Sequence, residues 1–310
     1  MTEEIRIGYL STLYHTSLIL KGSDLGGELG VEVSWRLFPT GTDMIDAFGR
    51  EELDLEYIGL PPAIIGIGRG LRIRCVAGGH MEGTVLVGLA GIRQRRTVRE
   101  SLSQFRGRSI GTPKRGSIHD VILRQMVTSA GFEDEIEIKN YDWADFILDA
   151  MIDGEVEGGC GTPPLAVLAI QKLSAEIVLP PELMWPKNPS YGIVATEELI
   201  EGSPRFLEGF LRRHEDASNL IRTRPLVAAG MVAEAPPTID ADFALEVYRL
   251  SPKYCASLSR EYIDATMAFA SLLKETGAIP GEVKAGEIFE MTAIERVHPE
   301  GDHYRDPGNL

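Results

Sequence analysis

The chain has 310 residues, of which 44% are hydrophobic and 25% charged, and its formal net charge is −15. This composition is ordinary for a globular protein, and the acidic balance argues against general nucleic-acid binding, which needs a basic surface. No apolar run approaches the length of a membrane span, and the three cysteines, which lack metal-type spacing, do not suggest a disulfide framework.

The first part of the chain alternates between predicted strands and predicted helices. Strands are predicted at 5–10, 31–37, 53–58 and 73–77, and the second of them alternates apolar with polar residues. Pro62 is well placed in the first turn of one of the intervening helices. A regular alternation of this kind indicates a parallel sheet with helices wound on both faces.

The stretch 109–132, SIGTPKRGSIHDVILRQMVTSAGF, combines a short strand, a loop of small residues and the start of a helix. Ser117 is the predicted N-cap, Asp120 lies near the positive end of the helix dipole, and Gly131 is the predicted stop. Free N–H groups at such a start can hold an anionic ligand, and Arg115 adds a full positive charge. The same residues also fit an ordinary strand–helix unit in which glycine and serine only make the turn.

The middle of the chain is predicted to form a second lobe. A strand at 84–89 precedes a basic, polar segment, where we place the first crossover, and the proline-rich segment 180–189 is the predicted return. The predicted domains are therefore 1–90 with 190–310 as lobe 1, and 91–189 as lobe 2. The remainder is predicted to form amphipathic helices that pack on lobe 1.

The stretch 109–132 resembles the second-lobe entry of substrate-binding proteins of the nitrate/sulfonate/taurine class, which includes the NMT1/THI5-like proteins. Other matching stretches follow in order, so that the resemblance covers roughly residues 5 to 225: 5–9, 41–47, 53–70, 191–196 and 204–217. The resemblance implies a two-lobe α/β fold of the periplasmic-binding-protein type II. Each lobe would be a mostly parallel sheet flanked by helices, with the C-terminal helices on lobe 1 and a ligand cleft between the lobes.

Ligands of open α/β sheets bind beyond the carboxyl ends of the strands, and the resemblance assigns the ligand to the corresponding loops. The predicted ligand-binding residues are Tyr14, His15, Thr42, Pro61, His80, Arg115, Gly116, Ser117, His119, Thr162 and Trp185, with Tyr14 and Trp185 as wall residues. An alternative set, His15, His80, His119 and Cys160, could hold a transition metal. Otherwise no cofactor is predicted, because these residues have no metal-type spacing and the cysteine-rich signature of iron-using relatives is absent.

The sequence leaves two main functions open. The first is a non-enzymatic binding protein that captures a small anionic or heteroaromatic ligand and presents it to an ABC-type permease. By resemblance it would be an extracytoplasmic monomer that is not inserted in the membrane. The second is a cytoplasmic enzyme or metal-using protein on the same fold, favoured by the lack of an export signal after Met1 and by the loop histidines. A regulatory effector-binding domain is a third, although neither end shows a helix-turn-helix.

Overall fold

The strands of the chain form two separate sheets, each in its own compact unit. The computed structural model describes residues 4–234 and 240–305. One unit comprises Met1–Met81 with Lys187–Leu310, and the other comprises Glu82–Pro186. Both units combine a sheet with flanking helices, which confirms the predicted α/β fold class.

The elements follow one another along the described chain in the alternating order that the first part of the sequence predicted. The strands are β1 (Glu4–Leu10), β2 (Glu32–Phe38), β3 (Leu55–Ile58), β4 (Ile73–Met81), β5 (Val85–Gly88), β6 (Arg108–Pro113), β7 (Ile136–Tyr141), β8 (Gly158–Gly161), β9 (Glu176–Leu179), β10 (Pro189–Thr196) and β11 (Lys253–Tyr254). The helices are α1 (Ser17–Lys21), α2 (Leu25–Leu29), α3 (Gly41–Gly49), α4 (Leu60–Gly68), α5 (Val98–Ser103), α6 (Ile118–Ala130), α7 (Asp145–Ile152), α8 (Pro163–Leu173), α9 (Pro181–Met184), α10 (Glu197–Gly202), α11 (Pro204–Thr223), α12 (Pro225–Ala233), α13 (Ala241–Leu250), α14 (Arg260–Glu275), α15 (Ala285–Ile288) and α16 (Thr292–Val297).

The sheet of the first unit has the strand order β11-β4-β10-β3-β1-β2. β1 pairs in parallel with β2 and β3, whereas β10 runs antiparallel between β3 and β4. β3 and β4 therefore point the same way, and the carboxyl ends of β1 to β4 meet at one edge with the start of β10. The sheet is mixed rather than purely parallel, because β10 and β11 oppose their neighbours.

The sheet of the second unit has the order β7-β6-β8-β5-β9. β6 is parallel to β7 and β8, and β5 runs antiparallel to β8 and β9. At the glycine positions of β8, neighbouring side chains lie where a Cβ would be. A Cβ added to Gly158 would lie 2.5 Å from Phe105 Cε1.

The boundary between the two units differs from the predicted domains 1–90 with 190–310 and 91–189. The second unit begins at Glu82, so that β5 belongs to the second sheet and not to lobe 1. β5 is a short, fully buried run whose sheet is decided by its hydrogen bonds to β8 and β9, which lie far away in the sequence. The segment from 180 to 186, predicted as part of the return, contains α9 and also belongs to the second unit.

The C-terminal helices belong to the first unit, as predicted. α11 carries an apolar stripe in which Phe206, Phe210 and Leu211 are buried, and each such side chain contributes about 1.5–3 kcal/mol by leaving water. α11 packs against α12 and α16, and α14 packs against α4. No helix in the described part of the chain combines the length and apolarity that a membrane crossing requires.

Candidate functional site

The helix start predicted at Ser117 is present and lies at the carboxyl end of β6. The Ser117 side chain accepts a hydrogen bond from the N–H of Asp120 at 3.3 Å. Gly116 has a φ of +86°, which glycine adopts without strain, and its N–H donates to Asp120 Oδ2 at 2.9 Å. Gly131 ends the helix in the left-handed conformation. The loop and the helix therefore form from local signals that the sequence carries.

The carboxylate of Asp120 occupies the positive end of this helix. Its Oδ1 accepts hydrogen bonds from Arg124 Nε and Asn140 Nδ2, both at 2.8 Å, and the side chain is only 2% exposed. The side chain of Arg115 is exposed. An internal negative charge at the helix start offsets the attraction that the dipole would exert on a bound anion. The structure thus weakens the expectation of an anionic ligand at this position.

His119 and Thr162 lie at the same edge of the second sheet. His119 Nδ1 is hydrogen-bonded to Thr84 Oγ1 at 2.9 Å, because β5 starts where β8 ends. Burial lowers the pKa of His119 to about 4, so that its imidazole is neutral at physiological pH. Thr162 is the N-cap residue of α8, and its side chain makes no capping hydrogen bond. The thiol of Cys160 faces the main-chain carbonyl of His119 at 3.9 Å, and burial raises its pKa.

Aromatic rings and imidazoles gather at the carboxyl edge of the first sheet. The ring centroids of His15 and His80 each lie 4.8 Å from that of Tyr14, and His15 lies 4.1 Å from Tyr191. The Tyr14 hydroxyl is hydrogen-bonded to Ser190 Oγ at 3.0 Å. All of these side chains are buried. The structure therefore joins three predicted site residues to Tyr191, which sequence reasoning had assigned only to a strand.

Only one of the two ring nitrogens of His80 has a hydrogen-bond partner among the described residues. Its Nε2 donates to the carbonyl oxygen of Ser251 at 2.8 Å, which leaves Nδ1 as the unprotonated acceptor. Nδ1 is buried, and no hydrogen-bond partner for it exists among the described residues. Burial lowers the pKa of His80 to about 3, so that the ring is neutral. A ligand could therefore satisfy Nδ1 only by donating a hydrogen bond.

Thr42 and Pro61 lie in the first turns of the helices that follow β2 and β3. Thr40, rather than Thr42, caps α3 by accepting from the Asp43 N–H at 3.4 Å, and its Oγ1 is 2.7 Å from Thr42 Oγ1. Pro61 is buried at the start of α4. Both residues thus lie near the same carboxyl edge as His15 and His80.

Trp185, predicted as a wall residue, lies elsewhere in the second unit. With Val98, Arg99 and Met126 it lines a groove of about 380 Å³ beside the C-terminal half of α6. The cap residue Ser117 lies at the opposite end of that helix, which is about 20 Å long at 1.5 Å per residue. Helical periodicity and loop position could not reveal this separation.

The residues of the alternative metal set are divided between the two units. His15 and His80 belong to the first unit, whereas His119 and Cys160 belong to the second. Within the described ranges, the one group of metal-type ligands lies in the first unit and consists of Glu215, Cys255, His298 and His303. Sequence reasoning missed it, although the spacing of His298 and His303, with four residues between them, occurs in zinc sites.

Known proteins resemble this chain at low sequence identity. A protein of Brucella abortus (strain 2308) named as a binding protein is 22% identical over 242 residues, which are 74% of this chain and 70% of the relative. The alkanesulfonate-binding protein SsuA from Xanthomonas axonopodis pv. citri, bound to MOPS, has a TM-score of 0.77 at 15% identity and covers 93% of this chain and 99% of its own. The ligand-binding component of an ABC-type import system from Staphylococcus aureus, with zinc bound, has a TM-score of 0.79 at 15% identity. This match covers 96% of this chain and 100% of the Staphylococcus aureus chain.

The sequence itself also identifies a family. The model of the NMT1-like family matches residues 1–234. The match includes all of the second unit and the strand-edge residues from Tyr14 to Tyr191. Because it spans well over half of the chain, this protein belongs to the NMT1-like family.

Proposed function

We propose that the chain is a solute-binding protein of an ABC-type uptake system and that its ligand is a small, neutral heteroaromatic molecule. Membership of the NMT1-like family supports the binding role, as does the fold shared with binding components of import systems. The proposal assigns the ligand contacts to side chains at the carboxyl edge of the first sheet, above all Tyr14, His15 and His80. It favours the heteroaromatic over the anionic alternative that the sequence left open.

The choice of ligand rests on His80 Nδ1, which has no hydrogen-bond partner among the described residues. This buried acceptor lies beside the ring of Tyr14, which also contacts His15. A flat ring that bears an N–H or amino group would stack on these rings and donate to Nδ1. A sulfonate or nitrate ion offers only acceptors, and Asp120 already places a negative charge at the helix start.

The protonation states support binding rather than acid–base catalysis. A general acid or base works best when its pKa lies near the operating pH. Burial lowers the pKa of His80 to about 3 and that of His119 to about 4, so that neither ring changes charge near neutral pH. Burial also raises the pKa of the Cys160 thiol, which keeps it from acting as a thiolate.

The test is calorimetric titration with defined probes after native mass spectrometry has shown that no solute co-purifies. The heteroaromatic probes are cytosine and the aminopyrimidine of thiamine, and the anionic probes are ethanesulfonate and nitrate, which carry no hydrogen-bond donor. We expect an aminopyrimidine to bind and the anions to bind at least tenfold more weakly. Tighter binding of ethanesulfonate or nitrate would overturn the choice of ligand but leave the binding role intact.

The decisive variant is His80→Gln, compared with His214→Gln. The glutamine amide can keep the donor bond to Ser251 while the Nδ1 acceptor is lost, and we expect at least a tenfold loss of affinity for the heteroaromatic probe. His214 is an equally buried histidine, but its two nitrogens are bonded to Thr16 Oγ1 and the Gly78 carbonyl. Equal affinity losses in the two variants would show that His80 acts only through packing.

An extracytoplasmic location and an ABC permease partner belong to the same proposal. Both are supported by the binding components of import systems that share the fold. Fractionation of cells that express the native gene should find the protein outside the cytoplasm, and the protein should stimulate ATP hydrolysis by its reconstituted transporter when solute is present. A purely cytoplasmic protein would contradict the transport role.

A further inference from the structure

We infer that Glu215, Cys255, His298 and His303 form a structural binding site for a zinc-class divalent metal ion, separate from the solute-contacting residues. The four residues come from three distant parts of the chain. Glu215 lies on α11, Cys255 follows β11, and both histidines follow α16. One ligand atom from each residue converges on a common point, where all four atoms lie within 4.8 Å of one another. We call this group the C-terminal quartet.

The distances between the ligand atoms match the edges of a coordination tetrahedron. The separations are 3.3 Å from Cys255 Sγ to His298 Nε2, 3.9 Å from Cys255 Sγ to His303 Nδ1, and 3.4 Å between the two ring nitrogens. Glu215 Oε1 lies 3.9 and 3.7 Å from the same two nitrogens. A tetrahedral zinc ion with ordinary Zn–N and Zn–S bond lengths separates its ligand atoms by about 3.3–3.6 Å. These five separations lie within about 0.3 Å of such edges, and the ion would draw in the remaining pair, Cys255 Sγ and the Glu215 carboxylate, which lie within 4.8 Å of each other.

Hydrogen bonds outside the quartet aim its ligand atoms inward. His298 Nδ1 donates to the carbonyl oxygen of Glu300 at 3.2 Å, and a carbonyl can only accept, so that Nε2 carries the lone pair that faces the quartet. Glu215 Oε2 accepts from the Ala256 N–H at 2.8 Å, which leaves Oε1 for the ion. Outer partners of this kind, which fix ring tautomers and carboxylate orientation, are typical of metal sites.

The sulfur of Cys255 is also prepared for a metal. It accepts hydrogen bonds from the N–H groups of Ser257 and His303, both at 3.4 Å, which hold the sulfur in place. Burial raises the pKa of the thiol, so that it carries its proton until a metal ion binds. Without an ion, the thiol proton faces His298 Nε2. When the ion binds, sulfur forms the metal bond as thiolate and the proton leaves to solvent. The thiolate and the Glu215 carboxylate together balance the two positive charges of the ion.

Arg222 is a positively charged neighbour of the quartet that an incoming ion must displace. Its Nη2 donates to His303 Nδ1 at 3.1 Å and lies 3.8 Å from Glu215 Oε1. The same nitrogen also bonds to Asn219 Oδ1 at 3.0 Å, which can hold it after it leaves the imidazole. A groove of about 540 Å³, lined in part by His303, Glu215 and Arg222, provides the entry path.

The ligand types and the closed geometry define the kind of site. One thiolate, two imidazoles and one carboxylate form a borderline-soft set that suits zinc or cobalt rather than magnesium or calcium. Four protein ligands fill the tetrahedron, which is the pattern of structural rather than catalytic zinc. The ion would tie the segment after α16 to α11 and to the loop after β11, and so stabilise the C-terminal part of the first unit.

The first measurement is loading of the chelator-stripped, reduced full chain with Zn²⁺ and with Co²⁺ alone. We expect one equivalent of metal, a higher Tm with zinc, and cobalt spectra with the intense visible bands of tetrahedral coordination and a near-ultraviolet thiolate band. Binding of less than a tenth of an equivalent from micromolar excess would overturn the proposal and leave the quartet as a hydrogen-bonded cluster.

The variants are Cys255→Ser and His303→Gln, with Cys75→Ser as the matched control. We expect each quartet variant to bind metal at least tenfold more weakly and Cys255→Ser to lose the thiolate band. His303 is 30% exposed, so that its variant should fold even if the serine variant does not. Cys75 is an equally buried thiol that donates to the Ala77 carbonyl, and its loss should leave stoichiometry and spectra unchanged. Unchanged cobalt spectra in both quartet variants would also overturn the proposal.

Discussion

Replacement of Asp120 by asparagine is the sharpest test of how the start of α6 is built. In the structure Oδ2 accepts from the Gly116 N–H, while Oδ1 accepts from Arg124 and Asn140. An asparagine can keep its oxygen at the Oδ1 position and retain the last two bonds. Its NH₂ group then lies opposite the Gly116 N–H, and because both groups are donors, the hydrogen bond between residues 116 and 120 is lost.

The expected cost follows from these contacts. Loss of a buried hydrogen bond to a charged acceptor costs about 1.5–3 kcal/mol. Removal of a negative charge from the first turn of a helix costs about 0.3–1 kcal/mol more. We therefore expect Asp120→Asn to lower the free energy of unfolding of the second unit by about 2–4 kcal/mol.

The assay is urea denaturation followed by tryptophan fluorescence in a Trp35→Phe background. Of the three tryptophans, Trp143 and Trp185 then remain, and both report on the second unit. Asp134→Asn makes the same charge change at an exposed position of that unit and should alter stability by less than about 0.5 kcal/mol. If Asp120→Asn is no more destabilising than this control, the described network does not hold the helix start.

Two further substitutions test the cores of the units. Glu56 is fully buried, neither carboxylate oxygen has a hydrogen-bond partner among the described residues, and burial raises its pKa well above 4.5. The folded state therefore keeps a proton that the unfolded state releases, and the wild type loses stability as pH rises above 4.5. In urea denaturation, Glu56→Gln and the wild type should have equal free energies of unfolding near pH 4, and the variant should become increasingly more stable towards pH 8. A difference that does not change with pH would contradict this prediction. Gly158→Ala places a methyl group against Phe105 and should lower the free energy of unfolding by about 1–3 kcal/mol through overpacking. The control Gly202→Ala places its methyl group in open space and should leave the free energy of unfolding almost unchanged. Equal effects of the two substitutions would refute the packing argument.

Local signals in the sequence predicted local structure well. Ser117 as the cap and Gly131 as the stop of α6 are confirmed, because a cap depends on a hydrogen bond to a residue three positions away and a stop on one backbone conformation. The apolar stripe of α11 is buried as its periodicity predicted. The resemblance across residues 5 to 225 agrees with the family that the chain belongs to.

Features that depend on residues far away in the sequence were predicted less well. β5 looks like any short apolar strand, and nothing within it states that it pairs with β8 and β9 rather than with the first sheet. Trp185 is predicted as a wall residue together with the loop residues that the resemblance implies, and packing places it beside the C-terminal half of α6. The role of Tyr191 beside His15 follows from the antiparallel insertion of β10, which sequence patterns do not specify.

The sequence by itself determined the alternation of strands and helices in the first part of the chain, the start and end of α6, the α/β class and the family. These features depend on hydrogen bonds within one helical turn, on the alternation of apolar residues, and on motifs that are contiguous in the chain. Only the tertiary structure decided which side chains meet. His80 acquires an open acceptor because Ser251, far along the chain, binds its other nitrogen. Cys255 meets Glu215, His298 and His303 because helix packing brings three separate segments to one point, and no local pattern encodes such a convergence.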